Sequence, residues 1–304
     1  MYNIKEITCV SALNNIKKSR LPYNHDLNVY RGCEHGCEYC FAMYTHKYME
    51  SSDFFNEIYV KTNIPEQLEK ALRAKSWKKE VINLGGVTDN YQPIEETYKI
   101  MPEILKLLIK YKNPCIVSTK SDLMLRDYDL IDELSRLAYV NIAATITCMD
   151  EEIRKKIEPR GVSSTRRFEM LKQFKNTNAS IGLHMMPIIP FVTDTHQNLD
   201  SIYSMGKNIG VNYVITELMN LRGITRQRFL AFAKKEIPDK YEKICELYKK
   251  GSVDRDYRFE FYKTVRELTK KYDLSLNYKK TMKDYLESVE SQKDSQFTQL
   301  SLFD

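Results

Sequence analysis

The sequence predicts an α/β fold in which parallel strands are joined by crossover helices and followed by a helical appendage. Short β-branched runs alternate with helical patterns of ten to fifteen residues, the spacing that parallel strands require of their connections. Helix start and stop residues sit at the joints: Pro65 suits a first turn, Asp127 can cap the next helix, and Gly210 follows the last. Beyond Leu218 the strand signals fade and only helical periodicity continues.

Taken in order, the expected strands are Leu27 to Tyr30, Val81 to Leu84, Cys115 to Thr119, Val140 to Thr147, Ser180 to Met186 and Val211 to Glu217. An extended piece, Glu57 to Thr62, stands outside this alternation. Between the strands lie helices at Pro65 to Lys75, Glu95 to Lys112, Asp127 to Leu137, Ser164 to Asn176 and Gln197 to Ile209, each with apolar positions three and four residues apart. Ile224 to Lys235, Lys240 to Lys250 and Arg258 to Tyr272 read as further helices, and from about Ser288 the chain turns polar. The expected division is residues 1–220 as a barrel-type domain with an N-terminal extension, 221–287 as a helical appendage, and 288–304 as a flexible tail.

A chain of 304 residues can bury a sizeable core without disulfides. Its 42% hydrophobic and 29% charged residues exclude disordered and collagen-like classes. The opening MYNIKEITCV has neither the basic nor the apolar region of a secretory signal. No stretch approaches about eighteen consecutive apolar residues, so a cytoplasmic protein without a membrane segment is expected. The net charge of +6 is uneven, since Arg222 to Lys283 holds 18 basic against 9 acidic residues. Solvated helix faces and a phosphate-binding surface both fit this excess.

Seven cysteines include three crowded into eight residues, Cys33, Cys37 and Cys40, while Cys9, Cys115, Cys148 and Cys245 are scattered. In a chain with no signal segment this pattern favours metal binding over disulfides. In RGCEHGCEYCFA, Gly32 and Gly36 let the loop wrap an inorganic core. A fourth thiolate is missing: structural zinc normally takes four protein ligands, whereas three cysteines on a 4Fe-4S cluster leave one iron open. His35 is the alternative fourth ligand, though it would have to fold back across the loop.

The CxxxCxxC arrangement with an aromatic, Tyr39, before the last cysteine resembles the cluster loop of the radical S-adenosylmethionine superfamily. That resemblance implies a partial (β/α)6 TIM-type barrel with the site at the C-terminal ends of the strands. It implies a 4Fe-4S cluster on Cys33, Cys37 and Cys40, whose open iron chelates S-adenosylmethionine and whose electron splits it into methionine and a 5'-deoxyadenosyl radical. It also implies an electron donor such as flavodoxin or ferredoxin.

From about Asn28 to Asp239, shorter motifs resemble the spore photoproduct lyase-like branch, often described as DNA repair photolyase-related. In LGGVTDNYQPIEE, Gly85 and Gly86 stand where backbone approaches the cofactor's amino group, although glycines after a strand also make ordinary turns. By the same resemblance Thr88 contacts S-adenosylmethionine, Lys120 in STKSD reaches its carboxylate, Thr145 meets the ribose, and Tyr39 and Phe41 flank the cofactor. IEPRG and PIIPFVTD also look like family motifs; Glu158 and Arg160 either close a salt bridge over the site or form an exposed pair. Spore photoproduct lyase carries a hydrogen-returning cysteine where this chain reads Gly86-Val87-Thr88, and a tyrosine where it has Phe41. Cys148, at a strand end, is therefore the candidate catalytic thiol, with a small core residue as the alternative.

Gln299, Leu300, Ser301, Leu302 and Phe303 resemble the terminal peptide by which bacterial polymerases and repair proteins dock on the DNA sliding clamp. The alternative is that these apolar residues fold back on the barrel. Together these features predict a radical enzyme of the lyase or modifying kind acting on nucleic acid, in DNA repair or modification. Two alternatives stand beside it: the same chemistry on RNA, a peptide or a small molecule, and a non-catalytic, metal-stabilised clamp adaptor.

Overall fold

Parallel strands covered by helices are buried on both faces and read as near-continuous apolar runs. Strands β7 (Cys115–Thr119) and β8 (Val140–Thr145) follow that rule, with β8 buried along its whole length. The structure, a computed structural model, describes residues 3–16, 21, 23–49, 53–285 and 287–288. The QLSLFD tail lies outside the described residues.

Six parallel strands form the body: β3 (His25–Leu27), β6 (Ile82–Leu84), β7, β8, β9 (Ser180–Ile188) and β10 (Tyr213–Leu218), neighbours in chain order, with β2 (Leu13–Asn15) antiparallel at the edge. Crossovers run through α3 (Ile100–Tyr111), α4 (Tyr128–Leu137), α6 (Ser164–Phe174) and α7 (His196–Ile209). This is the partial (β/α)6 barrel with its helices outside. A second, three-stranded sheet pairs β5 (Glu57–Lys61) in parallel with β1 (Asn3–Ile7) and antiparallel with β4 (Tyr30–Arg31). Helix α1 (Ile64–Arg73) leads from it back to β6.

Three expectations change. Leu27 to Tyr30 is not one strand: the chain leaves the large sheet after Leu27 and joins the small one at Tyr30. The side chain of Asn90 bridges the step, accepting from Val29 N at 3.1 Å and donating to Leu27 O at 3.3 Å. Glu95 to Lys112 breaks at Lys99, which takes a left-handed φ of 51° between α2 (Glu95–Tyr98) and α3. Pro102 has no N–H to offer the preceding turn, so the helix restarts with that proline in its first turn. Helix α5 (Glu151–Ile157) was not expected, being too short for a strong periodic signal; Asp150 caps it through Glu152 N and Ile153 N.

The helices after β10 divide between two cores. Phe261, Val265 and Leu268 of α10 (Arg255–Tyr272) join the main barrel core, where α10 packs on α7. Helices α8 (Gly223–Glu236) and α9 (Pro238–Leu247) instead enclose Phe229, Ala233 and Ile244 with Cys37, Tyr39, Cys148 and Ile157. One helical pair thus roofs the cysteine loop. No described helix is long and apolar enough to cross a membrane.

Inside the barrel, Gly182 of β9 lies where the Tyr213 ring crosses from β10, and a Cβ there would stand 2.2 Å from the tyrosine oxygen. Replacing Gly182 with Ala is expected to cost about 1–3 kcal/mol through overpacking, read as a lower urea midpoint without a change in slope.

Candidate functional site

The cysteine loop leaves β4 at Gly32, whose φ of +84° and approach to Glu57 O and Phe54 O exclude a side chain. Four elements then clamp it. Cys33 N donates to Phe54 O (3.1 Å), Glu34 N to the Gln92 side chain (2.7 Å), Glu38 N to Ile157 O (3.0 Å), and Thr225 Oγ1 of α8 to Cys40 O (3.1 Å). Gly36, with φ +69°, lies under the Arg160 guanidinium, which occupies the place of a Cβ. The loop therefore presents Cys33, Cys37 and Cys40 from a fixed backbone, with Cys33 and Cys37 buried and Cys40 half-buried.

At the centre sits the buried carboxylate of Asp89, in the loop after β6. It accepts from Thr119 Oγ1 (2.8 Å), Lys120 N (2.9 Å), Tyr91 N (2.9 Å) and pairs with His35 Nε2 (2.9 Å). Burial opposes its ionisation, but His35 and the backbone donors prevail and hold its pKa at about 2. His35, the alternative fourth ligand, thus points its Nε2 at Asp89.

Glu158 and Arg167 form a second buried centre, an ion pair at 2.6 Å with both side chains 0% exposed. Tyr39 OH donates to Glu158 Oε1, and Arg167 also donates to Thr145 O (2.7 Å) and Val162 O (3.0 Å). This corrects the expected Glu158–Arg160 bridge: Arg160 contacts Phe55 O (3.4 Å) on the opposite side of the loop. Lys120 extends from the end of β7 with its ammonium 5.8 Å from the Tyr39 ring centre. Burial works to deprotonate it, yet Cys37 and Glu158 nearby raise its pKa and keep it charged.

Below these groups a polar chain descends into the barrel. Ser118 Oγ lies 3.5 Å from Thr145 Oγ1 and 3.1 Å from His184 Nδ1; His184 Nε2 lies 3.1 Å from Tyr213 OH, which donates to Asn141 Oδ1 (2.8 Å). Since the tyrosine donates onward, it accepts from Nε2–H, and Nδ1 accepts from Ser118. His184 is thereby neutral, and burial, with Lys120 adding to it, holds its pKa down at about 4.

The structure brings Tyr39, Lys120, Thr145, Glu158 and the cysteines together. Thr88 reaches the loop by donating to Gly32 O (2.6 Å) and accepting from Gln92 Nε2 (3.1 Å). Gly85 turns the chain with φ +99°, and a Cβ on Gly86 would overlap the Asp26 carboxylate at 2.0 Å. Cys148 is buried beside Cys37 and Tyr39, its Sγ 3.3 Å from Asp150 O. Phe41 does not join them: its side chain is 60% exposed on the surface. Asp89, Gln92, Arg167 and His184 were missed, because a single polar residue in a loop, strand or helix carries no signal until its distant partner is known.

The donor set suits an inorganic cluster. Burial raises the pKa of all three thiols, that of Cys37 to about 12, so the loop holds thiolates only when a cationic core compensates them. Among the described residues no group of three or more His, Cys, Asp or Glu closes on a single-ion position.

The family described as Radical SAM superfamily matches residues 27–202. An uncharacterized protein of Mycobacterium tuberculosis is 32% identical over 275 residues, covering 89% of this chain and 81% of its own. Another, from Methanocaldococcus jannaschii, is 29% identical over 240 residues, covering 78% and 86%. Among solved structures, spore photoproduct lyase complexed with dinucleoside spore photoproduct superposes with a TM-score of 0.63 at 12% identity, covering 88% of this chain and 79% of that one.

Two measurements probe the buried groups. Arg167→Met strands the Glu158 carboxylate and is expected to cost about 3–5 kcal/mol; adding Glu158→Gln recovers part of that loss in urea unfolding. Unfolded histidine, near pKa 6.5, binds protons more readily than folded His184, so stability is full above about pH 6.5 and falls toward about pH 4, by up to about 3 kcal/mol. The pH dependence of the urea midpoint is expected to be shallower in His184→Gln.

Proposed function

The chain belongs to the radical SAM superfamily, and on that premise we propose that Cys33, Cys37 and Cys40 hold its 4Fe-4S cluster while the barrel receives a nucleic-acid substrate. The observation that carries the reading is the trio of thiols on one clamped loop, with the ammonium of Lys120 over the ring of Tyr39 beside them. The cluster, when bound, supplies the electron that cleaves S-adenosylmethionine into methionine and a 5'-deoxyadenosyl radical.

This chain's residues do the rest. Lys120 keeps its proton and offers a positive charge to an anionic cofactor group in a water-poor mouth. The Glu158–Arg167 pair fixes the Tyr39 ring against the loop. Thr88 ties the β6 loop to the cysteine loop through Gly32 O, while Gly85 and Gly86 let that loop turn closely past Thr88 O and Asp26. Ser118 and Thr145, beside the neutral His184, line the barrel with hydroxyls that both donate and accept, suited to a polar base or sugar. Cys148, with its pKa pushed up to about 12 chiefly by burial, retains its S–H and is the proposed hydrogen-atom donor.

Nucleic acid as substrate is supported by the fold shared with spore photoproduct lyase, which is solved with a dinucleoside photoproduct, and by the 18 basic against 9 acidic residues from Arg222 to Lys283. These features support a lyase-like DNA repair or modification reaction as the proposed activity. Docking on the sliding clamp through Gln299 to Phe303 and reduction by a flavodoxin or ferredoxin complete the proposal.

Protein purified without oxygen is expected to be brown, to cleave S-adenosylmethionine when reduced, and to lose that ability in Cys33→Ala, Cys37→Ala or Cys40→Ala. A colourless zinc protein overturns the assignment of the thiols. Oligonucleotide affinity is expected to fall steeply with salt as phosphate contacts release counterions; no binding at low salt redirects the chemistry to a peptide or small molecule.

A further inference from the structure

Substrate and cofactor groups converge on the barrel side of the cysteine loop, toward Lys120, Thr145 and His184. Helices α5 and α8 pack against its other side. There a groove of about 420 Å³ runs between α5 and α8, lined by Glu38 of the loop itself, Lys156, Arg228, Phe232 and Lys235. We propose that this groove is the docking face of an acidic one-electron carrier protein that reduces the cluster from behind. The inference rests on the cluster being held by this loop.

Three observations favour that occupant. Cys40, the least buried of the three thiols, is the one tied to α8, through the hydrogen bond from Thr225 to its carbonyl. An electron entering at α8 thus meets the loop without displacing anything bound in the barrel. Apolar contact area is present: the segment after Cys40 packs on α8 and exposes Phe41 (60%) and Tyr44 (48%), and Phe232 lies in the groove wall. The charge is cationic. Helix α8 carries Arg226, Arg228, Lys234 and Lys235 against the single carboxylate of Glu236, and Lys156 is exposed beside it. The two acids of the groove pair with two of these cations, Glu38 with Arg228 (2.9 Å) and Glu236 with Lys235 (3.1 Å), which leaves Lys156, Arg226 and Lys234 without an acidic partner among the described residues. Such a rim attracts an acidic surface and speeds its encounter. In the step itself the carrier is oxidised by one electron and the cluster reduced by one; no bond is formed.

The test uses the cluster-loaded full chain and the double variant Lys156→Glu/Lys235→Glu, whose substitutions are on exposed side chains and spare the core. Reduction by flavodoxin hydroquinone, followed by cluster absorbance at low salt, is expected to slow about tenfold or more in the variant, and added salt is expected to slow the wild type. Titration of oxidised flavodoxin onto the protein is expected to show the same weakening, while reduction by dithionite stays at the wild-type rate. Equal flavodoxin rates in variant and wild type overturn the proposal. So does loss of oligonucleotide affinity with flavodoxin rates unchanged, which assigns the face to nucleic acid. A protein that dithionite cannot reduce marks failure of the cluster assignment instead.

Discussion

A single buried carboxylate holds this site together. Asp89 joins His35 of the cysteine loop to Thr119 and the backbone of Lys120 at the end of β7, so two segments far apart in sequence share one anion. A carboxylate enclosed this deeply is tolerable only with its lone pairs occupied, and each donor it recruits is a part of the site. The position of Lys120 relative to the thiols follows from that satisfaction.

Glu158 and Arg167 repeat the arrangement on the other flank, where Tyr39 and Thr145 are the groups that gain a fixed place. Buried pairs of this kind contribute little net stability against an apolar alternative. Their value here is positional: each couples the loop to the rim of the barrel, and removing one partner leaves a charge with no water to receive it. The two anions, with Lys120 between them, make the mouth an electrostatically organised chamber on an otherwise apolar core.

The loop consequently has two faces of different character. Toward the barrel it meets a column of neutral hydrogen-bonding groups that ends on Tyr213 and Asn141; toward solvent it meets a basic helix and exposed aromatic rings. The fold is shared with enzymes of diverse chemistry, and barrels of this type vary their function through what lines the mouth. The polar column and the basic helix thus lie on separate sets of residues.

Local patterning determined much of this by itself. Five of the six parallel strands of the body were legible because strand and helix periodicity are properties of neighbouring residues, and the cysteine loop because its three thiols are close together in sequence. Only the tertiary structure decided that Glu158 pairs with Arg167 rather than Arg160, that the chain changes sheets between Leu27 and Tyr30, and that His184 meets Ser118 and Tyr213. A buried polar side chain is defined by a partner that can lie anywhere in the sequence, and nothing in its own neighbourhood names that partner. The sites where charge is buried are therefore where sequence reading stops and folded geometry begins.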